Sequence, residues 1–302
     1  MAAPGAAAGG RALALLRSRG GKETRTVVSG TLYLVPTPIG NPRDITLRAL
    51  DVLRRVSVIA AEDTRHWATL ARAHDLPVRS LSYHEHNEEA RTSQLIARLE
   101  GGDDVALVSD AGTPLLSDPG FTLVRAATAA GIPVTSLPGA SAITTALAAS
   151  GLPPLPFRFI GFPPRTSAKR MSFFAKLAAD AATLVAFEAP HRLAATVADA
   201  RAALGDRNAV LARSITKAHE RYQRGRLSEL GRHLADEGEV RGECTLLIEG
   251  SDRAAAAPEA DDDARLLAEA GGSVRTIAAF LVVRHGLSRR AAYETAQRAM
   301  GG

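Results

Sequence analysis

Short β-rich runs alternate with segments of helical period along most of this chain, and that alternation restricts the fold more than any other feature. Runs at 31–36, 56–61, 80–83, 105–109 and 133–136 read as strands, because brief apolar or β-branched stretches bounded by turn formers suit a buried sheet. Between them, Ile45, Leu47, Ala49, Leu50 and Leu53 recur at helical spacing, and helices are predicted near 66–74, 88–99, 119–130 and 141–150. Strands and helices in alternation, joined by short loops, imply a parallel α/β sheet. Ligands of such sheets bind beyond the carboxyl ends of the strands. The loops 37–44, 62–65, 110–117 and 138–141 each follow a strand, so they are expected to converge on one edge and form a site there.

The run Gly151-Leu-Pro-Pro-Leu-Pro156 cannot continue a helix and reads as a hinge. A second α/β unit follows, with strands predicted at 158–162, 183–187, 209–213 and 245–249 and helices at 169–179 and 191–204. The expected organisation is a basic, disordered tail at 1–29, an N-terminal α/β domain at 30–151 and a C-terminal α/β domain at 152–250. A linker at 251–263, mixing Ala, Pro and acidic residues, leads to a helical module at 264–302. In that module Ile277, Phe280, Leu281 and Leu287 are the expected apolar anchors, and Gly286 separates two helices in a helix-turn-helix-like arrangement.

Composition narrows the setting. Cys244 is the sole cysteine, so an intrachain disulfide and a cysteine-based metal cluster are both excluded. No apolar run approaches the ~20 residues that span a bilayer, and the apolar stretch at 12–16 is too short for an export signal. A reducing cytoplasmic location, away from membranes, is therefore expected. The net charge of +5 is concentrated before Thr26, where Arg11, Arg17, Arg19, Lys22 and Arg25 face a single acid, Glu23. A basic tail suits non-specific attraction to nucleic acid, but a solvated, disordered extension is the reading preferred here.

The usual nucleotide signatures are absent: no Gly-x-Gly-x-x-Gly follows a predicted strand, and no Gly-x-x-x-x-Gly-Lys-Ser/Thr occurs. Gly40, Gly112, Gly120 and Gly139 instead sit singly in proline-marked turns, where backbone can approach a ligand closely. Such loops could hold a neutral adenosine without a phosphate cradle. His84-Glu-His86 offers two imidazoles, too few for a metal site, so none is expected.

Several ordered blocks resemble one family. They are Gly30-Thr-Leu-Tyr-Leu-Val-Pro-Thr-Pro-Ile-Gly-Asn-Pro-Arg-Asp-Ile45, Ala60-Ala-Glu-Asp-Thr-Arg65, Val108-Ser-Asp-Ala-Gly-Thr-Pro114 with Ser117-Asp-Pro-Gly120, and Leu137-Pro-Gly-Ala-Ser141. Gly161-Phe-Pro-Pro164, Phe187-Glu-Ala-Pro-His-Arg-Leu193 and Arg241-Gly-Glu243 continue the series. In this order they are similar to the ribosomal RNA small-subunit methyltransferase I family. The resemblance implies two α/β domains of tetrapyrrole-methylase type, with S-adenosylmethionine in the cleft between them, and a homodimer. It also implies 2′-O-methylation of a cytidine in the decoding region of 16S ribosomal RNA, with the small ribosomal subunit as partner.

By that similarity Pro38, Ile39, Gly40, Asp110, Gly112, Thr113, Ser141, Ala142, Phe187, Ile215 and Thr245 line the cofactor pocket. Asp110 could accept hydrogen bonds from the ligand or merely cap the turn before Pro114. A ribose hydroxyl benefits from a general base; the candidates are the block Glu62, Asp63 and Arg65 and the cluster His84-Glu-His-Asn87, of which the first is preferred because it follows a strand, with helix capping by Asp63 as its competing role. Arg165, Lys169, Arg170, Arg192 and Lys217 are candidate phosphate contacts, and the C-terminal arginines add to that basic character. The family pattern has glutamates where Ser214 and Arg221 stand, and another residue at Ala140. Two other functions compete: a tetrapyrrole methyltransferase, and a non-catalytic RNA-binding assembly factor.

Overall fold

All four residues of Val105–Val108 (β4) are buried, as a central strand covered on both faces requires. In this computed structural model, which describes residues 29–251 apart from 239 and residues 258–301 apart from 288, β4 lies between Leu32–Leu34 (β1) and Val58–Ala61 (β2). Leu81–Ser82 (β3) and Val134–Ser136 (β5) form the edges, giving a parallel sheet of order β3-β2-β4-β1-β5. Successive residues face opposite sides. Ala106 and Val108 pack against helices Leu47–Arg55 (α1) and Thr64–Ala73 (α2). Val105 and Leu107 meet Glu88–Glu100 (α3) and Phe121–Ala129 (α4) on the other face. The chain leaves β1 towards one sheet edge and β4 towards the other, which opens a crevice between their carboxyl ends.

The second sheet is mixed rather than purely parallel. Its order is β6-β7-β10-β8-β9, built from Phe157–Phe159 (β6), Thr183–Glu188 (β7), Asn208–Arg213 (β8), Arg221–Arg226 (β9) and Cys244–Ile248 (β10). Only β6 and β7 among these run parallel; the remaining pairs are antiparallel. One face is covered by helices Ser167–Ala175 (α6), Leu193–Leu204 (α7) and Leu227–Glu237 (α8), through Phe174, Val197, Leu230 and their neighbours.

Helix Ala142–Ser150 (α5), which follows the first sheet in sequence, covers the opposite face of the second. Its Ile143, Ala146 and Leu147 pack with Val185, Val210, Leu247 and Ile215, and Ile39 from the loop after β1 joins the same cluster. The two sheets are thus joined through a shared apolar core.

Sequence patterning assigns no element to 221–237. β9 escapes because it is polar and half exposed along an edge, so it carries no apolar alternation. α8 does have buried Leu227, Leu230 and Leu234 at helical spacing, a signal present in the sequence. Of the predicted linker, residues 252–257 lie outside the described residues, and residues 258–263 open helix Pro258–Glu269 (α9). Proline in the first turn and acids near a helix N-terminus are favourable, so a composition that reads as linker is a helix start. Val274–His285 (α10) and Arg289–Met300 (α11) complete the module. Ile277, Leu281 and Leu287 are buried as anchors, but Phe280 is exposed against His285. The predicted tail lies outside the described residues except for Ser29. No helix among the described residues is long and apolar enough to cross a membrane.

Leu147→Ala should cost about 2–5 kcal/mol, because it removes buried methyl groups from the core shared by the two sheets. Urea unfolding checks this, and an unchanged midpoint would show that α5 contributes nothing to that core.

Candidate functional site

The strand-end loops of the first sheet are stitched together by their own backbone. Thr37 and Gly112 exchange hydrogen bonds of 2.9 and 3.0 Å, forming an isolated bridge between the loops after β1 and β4. Asp110 Oδ1 accepts from the Asp63 amide at 3.0 Å, and Glu62 Oε2 accepts from the Asp110 amide at 3.3 Å. Thr113 Oγ1 donates to Ala140 O at 3.2 Å. All four predicted loops therefore meet on one edge.

Across that edge lies a cavity of about 570 Å³, within the range of small-ligand sites. Ile39, Gly112, Thr113, Ser141 and Ala142 line it from the first sheet; Phe187 and Thr245 line it from the second. Gly112 sits at φ +83°, and an added methyl group would touch Ile39 Cγ2 at 3.3 Å and Ala140 O at 3.6 Å. Glycine here keeps bare backbone at the cavity wall. A smaller recess of about 320 Å³ adjoins it, lined by Pro38, Gly40, Asp63, Asp110, His66 and Trp67 among others. Ile39 and Lys217 border both spaces.

The predicted cofactor residues thus divide. Pro38, Gly40 and Asp110 line the recess rather than the main cavity, and Ile215 lines neither, being buried in the core beside Ile39. Asp110 does not act as a turn cap before Pro114: its carboxylate holds the Asp63 amide and stands 3.0 Å from His66 Nδ1. Gly40 owes its identity to the opposing loop. A methyl group there would stand 2.6 Å from Lys217 Cγ, 2.7 Å from Thr216 Oγ1 and 2.8 Å from Ile215 O.

The Glu62, Asp63 and Arg65 block is placed at the loop edge but not in the main cavity. Asp63 caps α2 by accepting from the Arg65 amide, and its carboxylate grips the Arg65 guanidinium at 2.6 Å. Those hydrogen bonds hold the Asp63 carboxyl well below the usual range. Burial pushes Glu62 up.

Two predicted phosphate contacts are corrected. Arg170 is buried, with its guanidinium 2.6 Å from Asp199 and donating to the carbonyls of Pro164 and Arg165. Arg192 donates to the carbonyls of Pro163 and Pro164 and pairs with Glu188 at 3.2 Å. Both cations brace the 163–165 loop, Arg170 fully buried and Arg192 partly so. Arg165 and Lys169 are exposed, and Lys217 stands at the cavity rim, 3.0 Å from Glu243. Ser214 and Arg221 do not line the cavity. Ser214 instead crowds Gly242, and Arg221 lies on β9 beside Glu237.

Sequence reasoning overlooked Asp118, Glu188, Glu243 and Phe162 as cavity-lining groups. Each lies within a recognised block, so position was available although orientation was not. Desolvation by burial, reinforced by the charge of Glu62, pushes the Asp118 carboxyl up to about 7.

The chain matches the tetrapyrrole (corrin/porphyrin) methylases over residues 31–231. It is 49% identical over 285 residues to ribosomal RNA small subunit methyltransferase I of Micromonospora olivasterospora, covering 94% of this chain and 87% of that protein. The chain belongs to that family. The Pseudomonas aeruginosa relative of the same name is 47% identical, over 74% of this chain and 79% of its own length. Among solved structures, uroporphyrin-III-C-methyltransferase from Thermus thermophilus superposes with a TM-score of 0.52 at 26% identity, covering 73% of this chain and 94% of that one. Family membership accounts for the fold as an α/β methylase with additional C-terminal helices.

Gly40→Ala should cost about 1–3 kcal/mol, since Ile215 O is backbone and must move. Denaturant unfolding and hydrogen exchange check this; faster exchange at 214–217 is expected, and unaltered stability and exchange would contradict the close approach.

Proposed function

We propose that this chain transfers a methyl group from S-adenosylmethionine to a ribose 2′-hydroxyl of a cytidine in the decoding region of 16S ribosomal RNA. The observation that carries this reading is the cavity between the two sheets, lined by glycine-bearing loops, in a chain so similar to rRNA methyltransferases along nearly its whole length. The residues present fit an adenosine-containing ligand. Ile39, Ala142 and Phe187 give apolar walls, the Gly112 turn lets a ligand approach with no side chain in the way, and Thr113, Ser141 and Thr245 supply hydroxyls.

When bound, S-adenosylmethionine supplies a methyl group already activated on a sulfonium. The chain's own task is to hold both reactants in line and keep them there. Pro38, Gly40 and Asp110 would act from the recess, fixing the loops that carry Ile39 and Gly112. Ile215 would act from behind Ile39.

Exposed Arg165 and Lys169 would neutralise RNA phosphates, and Lys217 at the rim would do so by exchanging Glu243 for a phosphate. Arg275, Arg284, Arg289, Arg290 and Arg298 are exposed on the helical module and extend that basic character. These cations favour RNA over a tetrapyrrole, as does the much lower identity to the uroporphyrin-III enzyme. We place the activity on small ribosomal subunits in the cytoplasm. A homodimer is part of the same reading, supported by exposed Leu155 and by Phe157 on the edge strand β6.

Purified protein incubated with methyl-labelled S-adenosylmethionine should place label on 16S RNA, in protein-free form or within assembled small subunits. The labelled nucleotide should be an alkali-resistant 2′-O-methylcytidine. Label on a tetrapyrrole and none on RNA would contradict the proposal.

A further inference from the structure

Methylating a hydroxyl requires that its proton go somewhere, and the groups around the cavity can be sorted for that task. Three carboxylates line it: Asp118, Glu188 and Glu243. Glu188 is fully engaged, accepting from the Ala189 amide, the Thr196 hydroxyl and Arg192. Glu243 is neutralised by Lys217 Nζ at 3.0 Å. Lys217 itself, as an ammonium, has donors and no acceptor. Asp118 has no ion pair among the described residues; it is half buried at the cavity wall, with the Ser109 side chain as a hydrogen-bond partner. Resting on the rRNA methyltransferase reading above, we propose that Asp118 is the general base that accepts the proton of the RNA hydroxyl being methylated.

The loop that carries Asp118 is held in an unusual shape. Leu115 and Ser117 both lie at φ 75°, a region disfavoured for residues with side chains. Gly120 is at φ +129°, where a methyl group would stand 2.5 Å from Leu107 Cδ2 in the sheet core. Strain of this kind persists where surrounding packing imposes it, and it clusters at functional sites. Here it directs one carboxylate to the cavity at a fixed position, which is what proton transfer demands. Opposite, Ser214 at φ 50° and Thr216 at φ 64° shape the loop that presents Lys217.

In the step, the 2′-oxygen gains the methyl carbon while the sulfur–carbon bond breaks with its electron pair remaining on sulfur. The hydroxyl proton passes to a carboxylate oxygen of Asp118, which becomes neutral. Burial has already raised the affinity of that carboxyl for a proton, so its strength as a base is matched to neutral solution. The charged groups facing it are Glu62 after β2 and Asp110 after β4, with Glu188, Glu243 and Lys217 across the cavity. Glu85, after β3, bears on Glu62.

The test compares wild type, D118N and E62Q in single-turnover methyl transfer to small ribosomal subunits across pH, with calorimetry and thermal unfolding on the same proteins. Wild-type rate should rise through about pH 7 and level off. D118N should be slower by about 10²- to 10⁴-fold and lose that rise, while binding S-adenosylmethionine unchanged. E62Q keeps the acceptor for the Asp110 amide but removes a charge facing Asp118, so the midpoint should move to lower pH. Because the folded carboxyl binds its proton more tightly than the unfolded one, ionising it costs stability as pH rises towards 7. D118N should therefore raise Tm relative to wild type above pH 7, whereas loss of a purely structural aspartate lowers it. D118N with wild-type rate and pH profile, or with lost cofactor binding, overturns the proposal and leaves the RNA activity standing. Wild type that labels no RNA overturns both.

Discussion

The packing of Ile39 and helix α5 against the second sheet is the contact on which the site depends. Ile39 belongs to the loop after β1, and α5 follows the last strand of the first sheet. By burying Ile143, Ala146 and Leu147 against Val185, Val210 and Leu247, the chain fixes the carboxyl edge of one sheet against the face of the other. Each such Val, Ile or Leu side chain removes apolar area worth about 1.5–3 kcal/mol from water, and Ala146 less. Small residues in α5 let the two units approach closely, and Gly40 shortens the distance further where it meets the 215–217 loop. The cavity is the space left beyond this seam, so its shape is inherited from a hydrophobic core.

Around that space the polar groups are sorted by partner. Arg170 donates to loop carbonyls and Asp199, and the Arg192 Nη2 group to loop carbonyls and buried Glu188. Asp110 links the loops after β2 and β4. Lys217 and Glu243 neutralise one another at the rim. A site built in this way holds its walls through side chains that do not face the ligand, which is how a wall of glycine turns and small residues stays in place. The left-handed Leu115, Ser117, Ser214 and Thr216 sit on two facing loops, and their strain is tolerated because the seam and the sheet cores set the loop ends.

Much of this was legible in the sequence, for identifiable reasons. The first sheet showed itself through buried, continuous apolar strands such as 105–108 and through prolines and glycines placed after them. The convergence of four loops followed from topology alone. The edge strand β9 did not show itself, because Arg221, Arg224 and Arg226 give it no apolar face. The acidic start of α9 resembled a linker. The direction of side chains was least accessible: Arg170 closes a cationic stretch that suits RNA and Arg192 follows a strand end, yet both turn to protein carbonyls and carboxylates. Asp118 lay in plain view in Ser117-Asp-Pro-Gly120, but its exposure to the cavity comes from left-handed backbone that no periodicity encodes.

The central claim is that the space between the two sheets receives the methyl donor. A crystal structure of the protein grown with S-adenosylhomocysteine tests it most directly. The account predicts the ligand between the Gly112 turn and the Phe187 and Thr245 side chains of the second sheet. Ligand seated in the recess beside Trp67, or on any surface outside the cleft, would contradict it.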